Sequence, residues 1–180
     1  GGGKGGVEVE VKTLSQSELE RISRAYARWL APSIGPWQDV PAPDVNTNAQ
    51  VMAWMIDEYL FIQTKKAQEV GFGGLGSSPW ATFTGKPVGL FGSLGREEAT
   101  GRGGLVVLET LVKKLGLKPA QTRIAVQGFG NVGANFAQLS EASGFKVMAV
   151  SDSQGGIVSE SPLDLTKVQA WKKEKGTVVG

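Results

Sequence analysis

Between Ile124 and Asp152 the chain runs an apolar triplet (Ile124-Ala125-Val126), a glycine cluster (Gly128-Phe129-Gly130-Asn131-Val132-Gly133), a stretch with apolar residues at helical spacing through Phe136 and Leu139 to Gly144, and a second apolar run, Lys146 to Val150, ending at Ser151-Asp152. The pattern reads as strand, turn, helix and strand within about 30 residues, and it assigns the chain to the α/β class. In that order each glycine has a task. Gly128 permits a tight turn, Gly130 lets backbone approach a pyrophosphate, and Gly133 lets helix and strand pack closely. The helix N-terminus then presents its unpaired N–H groups to phosphate oxygens. Asp152 follows Gly133 by 19 positions, at the end of the second strand. A carboxylate there accepts hydrogen bonds from a ribose diol and repels a 2′-phosphate, which favours NAD and makes NADP the alternative. The plainer reading of the glycines is a turn, and that of Asp152 an ordinary turn residue.

Composition narrows the chemistry. The 180 residues include no cysteine and no histidine, so disulfides, thiolate catalysis, His-ligated metal sites and a Ser-His-Asp triad are excluded; no metal is expected. Acid–base work falls to Lys, Asp, Glu, Tyr, Ser or Thr. Nineteen basic and 17 acidic residues are mostly interspersed, giving a net charge of +2 and no electrostatic case for nucleic acid. No apolar run is long enough to span a bilayer and no secretory signal is visible, so a soluble, cytoplasmic chain without a membrane partner is expected.

Val7 to Val11 alternates apolar and charged residues, the pattern of a half-buried strand. Ser15 with Glu18 forms a capping box, and Leu19, Ile22, Ala25, Tyr26, Trp29 and Leu30 supply the buried face of the helix that follows, up to Pro32. Residues 32 to 46 carry four prolines and form a rigid irregular segment. A second helix starts near Thr47 and runs through Met52, Met55, Ile56, Tyr59 and Leu60, its Met and Trp residues serving the core. Gly71 to Pro79 is a loop by composition, a helix covers Arg102 to Leu115 with Gly116 as its C-cap, another covers Ser161 to Lys175, and Val178-Val179 hints at a strand. Lys4 stands among five glycines in GGGKGG, an arrangement that brings backbone close to a small ligand with one ammonium to act on it; a flexible linker is the plain alternative.

Several stretches, in order, resemble the glutamate dehydrogenases within the wider amino-acid dehydrogenase family: GGGKGG (1–6), IGPWQDVPAPDVNTN (34–48), MAWMIDEY (52–59), TGKPVGLFGSLGREEATGRG (84–103) and VQGFGNVG (126–133). Leucine, valine and phenylalanine dehydrogenases share the glycine-flanked lysine and the nucleotide fold, whereas DVPAPDVNTN and SLGREEATGRG look like the glutamate branch. The resemblance implies reversible oxidative deamination of L-glutamate to 2-oxoglutarate and ammonia, with hydride transfer to NAD(P), in a homo-oligomer that is usually hexameric. It places the catalytic lysine at Lys4 and the catalytic aspartate at Asp44. A lysine crowded by backbone and partly desolvated activates water and stabilises a carbinolamine oxyanion, while Asp44 shuttles a proton at the substrate nitrogen. The alternative for Asp44 is a helix N-cap near Thr47. Thr100 and Asn131 match cofactor-contacting positions, Thr100 at the nicotinamide carboxamide, with a helix N-cap before Gly101 as its alternative. Arg96 is a candidate for a substrate carboxylate, or an ion-pair partner of Glu97 or Glu98.

The implied architecture is the C-terminal part of a substrate and oligomerisation domain over 1–83, within an N-terminal α/β catalytic domain, followed over 84–180 by the first half of a Rossmann domain. Family members carry a substantial segment before GGGKGG and continue past Gly180, so the chain reads as an internal fragment. Two further departures stand out: residues 65–83 form a longer connection than usual, and LFGS at 90–93 puts Phe91 where the family commonly has glycine. The competing function is a catalytically incomplete nucleotide-binding or subunit-interaction fragment, or a branched-chain or aromatic amino-acid dehydrogenase.

Overall fold

The computed structural model describes residues 3–70 and 78–180. The chain divides into two compact units, Gly1–Leu94 and Gly95–Gly180. The division falls later than the 83/84 boundary read from sequence, because the Thr84 N–H donates to the Pro41 carbonyl at 2.9 Å and Gly85 packs against Pro43. Both contacts tie residues 84 and 85 to the first unit.

The first unit is built on two helices, α1 (Gln16–Leu30) and α2 (Ala49–Val70). The Ser15–Glu18 capping box opens α1 as expected, with the Glu18 carboxylate accepting from the Ser15 N–H at 2.8 Å. Its buried face differs from the expected one. Ser23 and Ala27 are the buried positions and Ala25 and Trp29 are exposed, Trp29 by 76% while it stacks on Tyr26. Two small residues let α1 approach α2 closely, and the Ser23 hydroxyl is satisfied by the Leu19 carbonyl at 2.7 Å. Arg24 and Arg28 then reach across to Asp57 and Glu58 at 2.6 and 2.7 Å. Helix α2 begins one turn-residue later than expected: Asn48 is the cap, its side-chain oxygen accepting from the Val51 N–H at 3.1 Å. Met52, Met55, Ile56 and Tyr59 enter the core with Phe83, as the sequence suggested. Val7 to Val11 forms no strand; among the described residues no neighbouring strand offers it hydrogen-bond partners, and only a short 3-10 turn appears at Val11–Thr13. Of the 65–83 connection expected from sequence, residues 65–70 belong to α2 and Pro79–Thr82 form a 3-10 turn, while 71–77 lie outside the described residues.

The second unit holds α3 (Ala99–Lys114), β1 (Arg123–Gln127), α4 (Asn131–Ala142), β2 (Lys146–Asp152), β3 (Gly155–Val158) and α5 (Leu165–Lys175). Strands β1 and β2 are parallel, with α4 as their connection, and β3 pairs antiparallel to β2, giving the order β1-β2-β3. Gly116 takes φ +66° beyond α3, and the Leu117 and Gly116 N–H groups return to the Val112 and Lys113 carbonyls, a Schellman closure. Val126, Val147 and Val150 of the sheet pack with Phe129, Ala137, Leu165 and Val168. Strand β3 had no sequence signal beyond a two-residue turn, and Val178-Val179 is not a strand: Val178 is buried and its N–H bonds to Asp152 instead of a ladder. The whole is an α/β fold, helical in the first unit and mixed in the second.

Candidate functional site

In the first unit, Lys4 and Asp44 meet. The Lys4 Nζ lies 2.6 Å from Asp44 Oδ2, across 40 positions of sequence. A turn aims the carboxylate: the Asp44 N–H donates to the Thr47 hydroxyl at 2.7 Å, the hydroxyl returns to the Asp44 carbonyl at 2.9 Å, and Asn46 takes φ +59°. Asp44 Oδ1 accepts from the Val45 N–H at 2.8 Å. Lys4, together with the Val45 N–H, holds the Asp44 carboxyl below its ordinary range. Since Asn48 caps α2, the alternative role of Asp44 as that helix's cap falls away. The crowding expected of Lys4 is not there: its side chain is 75% exposed and that of Asp44 55%, so water still reaches both. What the fold supplies at this point is juxtaposition.

In the second unit, the glycine loop has the geometry its spacing implied. Gly128 takes φ +89°, and the Gly128 and Phe129 N–H groups both donate to the Ser151 carbonyl, at 3.0 and 2.6 Å, locking the loop to the end of β2. Phe129 is the loop's anchor, fully inside the sheet core. A Cβ at Gly133 would sit 1.9 Å from the Gly128 carbonyl oxygen, so only glycine fits under the turn. A Cβ at Gly130 would meet nothing within 4 Å, leaving its backbone open to an approaching group. Gly130 precedes α4 without a capping side chain, so the first N–H groups of that helix have none of their own to bind, while Val132 stands exposed beside them. Open backbone, uncapped helix start and filled underside together fit a pyrophosphate.

Asn131 opens α4 and its side-chain amide donates to the Glu97 carbonyl at 2.9 Å; Asn135, one turn on, bonds the Asn131 carbonyl at 2.8 Å. These bonds bring the start of α3 beside the start of α4. Thr100 is the second residue of α3 and exposed there, not its N-cap, which is Glu98. Gly101 makes the close crossing: a Cβ would lie 2.7 Å from the Phe136 N. Arg96 stands in the turn before α3; Glu98 pairs with Arg102 at 2.8 Å, and among the described residues Arg96 has no ion pair.

Asp152 is the most heavily engaged of the expected site residues. Its oxygens accept from the Gln154 N–H (3.0 Å), the Val178 N–H (2.8 Å), Lys172 Nζ (3.1 Å) and the Thr177 hydroxyl (3.2 Å), with 8% of the side chain exposed. The Gln154 bond leads, followed by Val178 and Lys172, in holding the carboxyl far below its ordinary range. Sequence reasoning missed Asn135, Gly101 and Lys172. An asparagine four residues after Asn131 and a glycine inside a helical pattern were legible signals for the first two; Lys172, in a run of surface lysines, had none.

Two family descriptions match this chain: "Glutamate/Leucine/Phenylalanine/Valine dehydrogenase" over residues 92–180 and "Glu/Leu/Phe/Val dehydrogenase, dimerisation domain" over residues 1–61. The chain belongs to the Glu/Leu/Phe/Val dehydrogenase family. Within that family it is 51% identical over 180 residues to a glutamate dehydrogenase of Thermotoga maritima, covering 99% of this chain and 40% of the relative. It is 43% identical to an NADP-specific glutamate dehydrogenase of Synechocystis (100% and 39% covered) and 44% to the catabolic NAD-specific enzyme RocG of Bacillus subtilis (92% and 36%). The hetero-hexameric glutamate dehydrogenase of Thermus thermophilus superposes with a TM-score of 0.80 at 40% identity, over 93% of this chain and 38% of that one. The chain thus spans about two fifths of the length of the curated relatives it matches. Among the described residues no helix is long and apolar enough to cross a membrane, and no cluster of acidic residues could hold a metal ion.

Proposed function

We propose that this chain is part of a glutamate dehydrogenase, converting L-glutamate to 2-oxoglutarate and ammonia with Lys4 and Asp44 as its proton-handling pair and the Gly128–Gly133 loop as its dinucleotide site. The observation that carries the reading is the 2.6 Å contact between Lys4 and Asp44, two residues that nothing local in the sequence brings together. Among the residue types this chain offers, a lysine and a carboxylate at this distance can serve as an acid–base couple.

The bound nicotinamide supplies the hydride acceptor. The chain's own residues do the rest. Once hydride loss has left the substrate's Cα as an iminium carbon, Lys4 orients the water that adds there across the C=N bond and stabilises the carbinolamine oxyanion, while Asp44 carries a proton to the nitrogen, which leaves as ammonia when the C–N bond breaks. Asp44 stays ionised because Lys4 and the Val45 N–H favour its charged form, so it is ready to accept a proton throughout the neutral range. Gly130, Asn131, Val132 and Gly133 present backbone N–H groups to the pyrophosphate, with Gly128 and Phe129 holding the loop in place. Thr100 fixes the carboxamide, Asp152 receives the ribose diol, and Arg96 binds a substrate carboxylate. Either NAD or NADP is compatible with the relatives; Asp152 favours NAD. The unit Gly1–Leu94 then belongs to the substrate and oligomerisation domain and Gly95–Gly180 to a Rossmann domain, in a cytoplasmic hexamer. The DVPAPDVNTN and SLGREEATGRG stretches and the relatives' names support glutamate over leucine, valine or phenylalanine. The test is glutamate-dependent reduction of NAD and of NADP by a full-length protein carrying this sequence. Turnover of leucine or phenylalanine in preference to glutamate overturns the substrate assignment.

A further inference from the structure

The Asp44 loop rests on a seat built by residues 83–86. The Thr84 N–H donates to the Pro41 carbonyl at 2.9 Å. Gly85 adopts φ +71°, a conformation that L side chains rarely take, and a Cβ there would lie 2.4 Å from Cγ and 2.5 Å from Cδ of Pro43. The Pro43 ring therefore lies directly on the Gly85 backbone, and Asp44 is the next residue. The other side of the seat is rigid. Phe83 is fully buried with its ring edge-on to Tyr59 at 5.8 Å, and the Tyr59 hydroxyl is held by the Ile34 carbonyl at 3.2 Å. The Phe83 carbonyl accepts from Lys86 Nζ at 2.7 Å, and Lys86 is itself only 8% exposed. Moving Thr84 or Gly85 means unpacking Phe83 or stranding a buried ammonium, and both are costly.

Pro43 has a fixed φ, and the turn through Thr47 fixes the backbone beyond it, so the direction of the Asp44 carboxylate follows from where the Pro43 ring sits. We propose that Gly85 is a positioning residue: the bare backbone at Gly85 seats the Pro43 ring, and this seat places the Asp44 carboxylate against Lys4. The inference rests on the proposed roles of Lys4 and Asp44. It adds a residue that touches neither substrate nor cofactor.

The experiment uses the full-length enzyme with Gly85→Ala, Pro43→Ala, the double variant and Asp44→Asn. Gly85→Ala drives a Cβ into the ring, so kcat falls by about 100-fold, the loss typical of an ångström-scale misplacement of a catalytic group. KM for the dinucleotide stays at the parental value. The acid limb of kcat/KM, which reports Asp44 in the free enzyme, moves up toward the ordinary carboxylate range as the carboxylate leaves Lys4. Pro43→Ala removes the ring atoms and costs about tenfold, and the double variant loses much less than the product of the two single losses, since the inserted Cβ no longer meets the ring and only the positive-φ strain at residue 85 is added. Additive losses in the double variant, or Gly85→Ala with parental kcat and an unmoved acid limb, overturn the inference. Where Gly85→Ala does not fold, Pro43→Ala decides: parental kcat and acid limb there overturn it, and a lowered kcat with a raised limb upholds it. Asp44→Asn separates the two readings. If that variant keeps turnover, the role given to Asp44 fails; if it is inactive while Gly85→Ala is parental, only the seat fails.

Discussion

At the scale of single residues, the central fact is that Lys4 and Asp44 are in contact while both remain largely open to water. An exposed ion pair contributes little to folding, so the pair is not explained as a stability device. Replacing Lys4 by Ala should therefore leave the Tm nearly unchanged and the affinity for NAD intact, while turnover falls by about a thousandfold, within the range for loss of a positioned acid–base group. Loss of NAD binding in parallel with turnover, measured by fluorescence titration, would remove Lys4 from the chemistry. The same variant has a consequence for protonation. Lys4 is the largest influence lowering the Asp44 pKa, so its removal raises that pKa toward the ordinary carboxylate value. Carboxyl-13C chemical shifts of Asp44 followed through an acid titration read the change directly, and an unmoved titration contradicts the pairing.

Elements show where local sequence rules suffice and where they fail. The glycine loop was legible because each glycine answers a local requirement: positive φ at Gly128, open backbone at Gly130, and a space at Gly133 that a single Cβ would close. Gly133→Val should accordingly lower stability by about 2–3 kcal/mol through overpacking against the Gly128 carbonyl, measurable by urea denaturation. A Gly133→Val protein as stable as the parent would mean the loop relaxes freely. The α1 cap was legible for the same reason, and Ser15→Ala should cost about 1 kcal/mol. By contrast, the buried face of α1 was misread, because Ser23 and Ala27 face the core by virtue of being small enough for α2 to approach, and hydropathy alone ranks Trp29 above them. The Val7–Val11 alternation was misread as a strand because alternation specifies faces but not a partner. Gly85 carried no signal, since its neighbour Pro43 lies far off in sequence.

Asp152 belongs to this scale too, because it knots β2 to the end of α5 and the segment beyond. Its folded-state pKa is depressed, so its contribution to stability is present above the ordinary carboxylate range and is lost as pH falls through the depressed value. Asp152→Asn should therefore lower the Tm by a margin that stays constant from about pH 7 to about pH 5 and narrows only below the ordinary carboxylate range. A margin that closes already near neutral pH would show that another group is responsible. A carboxylate offers about four acceptor positions, and four internal donors already occupy those of Asp152. Ribose binding then requires Lys172 or Thr177 to yield its place, so the proposed cofactor role and the structural knot compete for the same oxygens.

For the whole molecule, the deciding quantities are the apolar surface left open and the share of the family's length that is present. Val106, Val107 and Leu111 of α3 are exposed, as are Leu115 and Leu117 just beyond it, and β1 is paired on one side only among the described residues. An open strand edge and an uncovered apolar helix face each promote self-association. The relatives are named as glutamate dehydrogenases, and this chain matches 40% of the Thermotoga maritima one. The 180 residues on their own should therefore bind an apolar dye such as ANS, self-associate in light scattering, and show no glutamate-dependent reduction of NAD. The same sequence within a chain of the relatives' length should lose the dye signal and acquire that activity. The two readouts are independent. Activity in neither form removes the dehydrogenase assignment, whereas activity in the short form alone shows that the Lys4–Asp44 pair and the glycine loop suffice without the remainder of the fold.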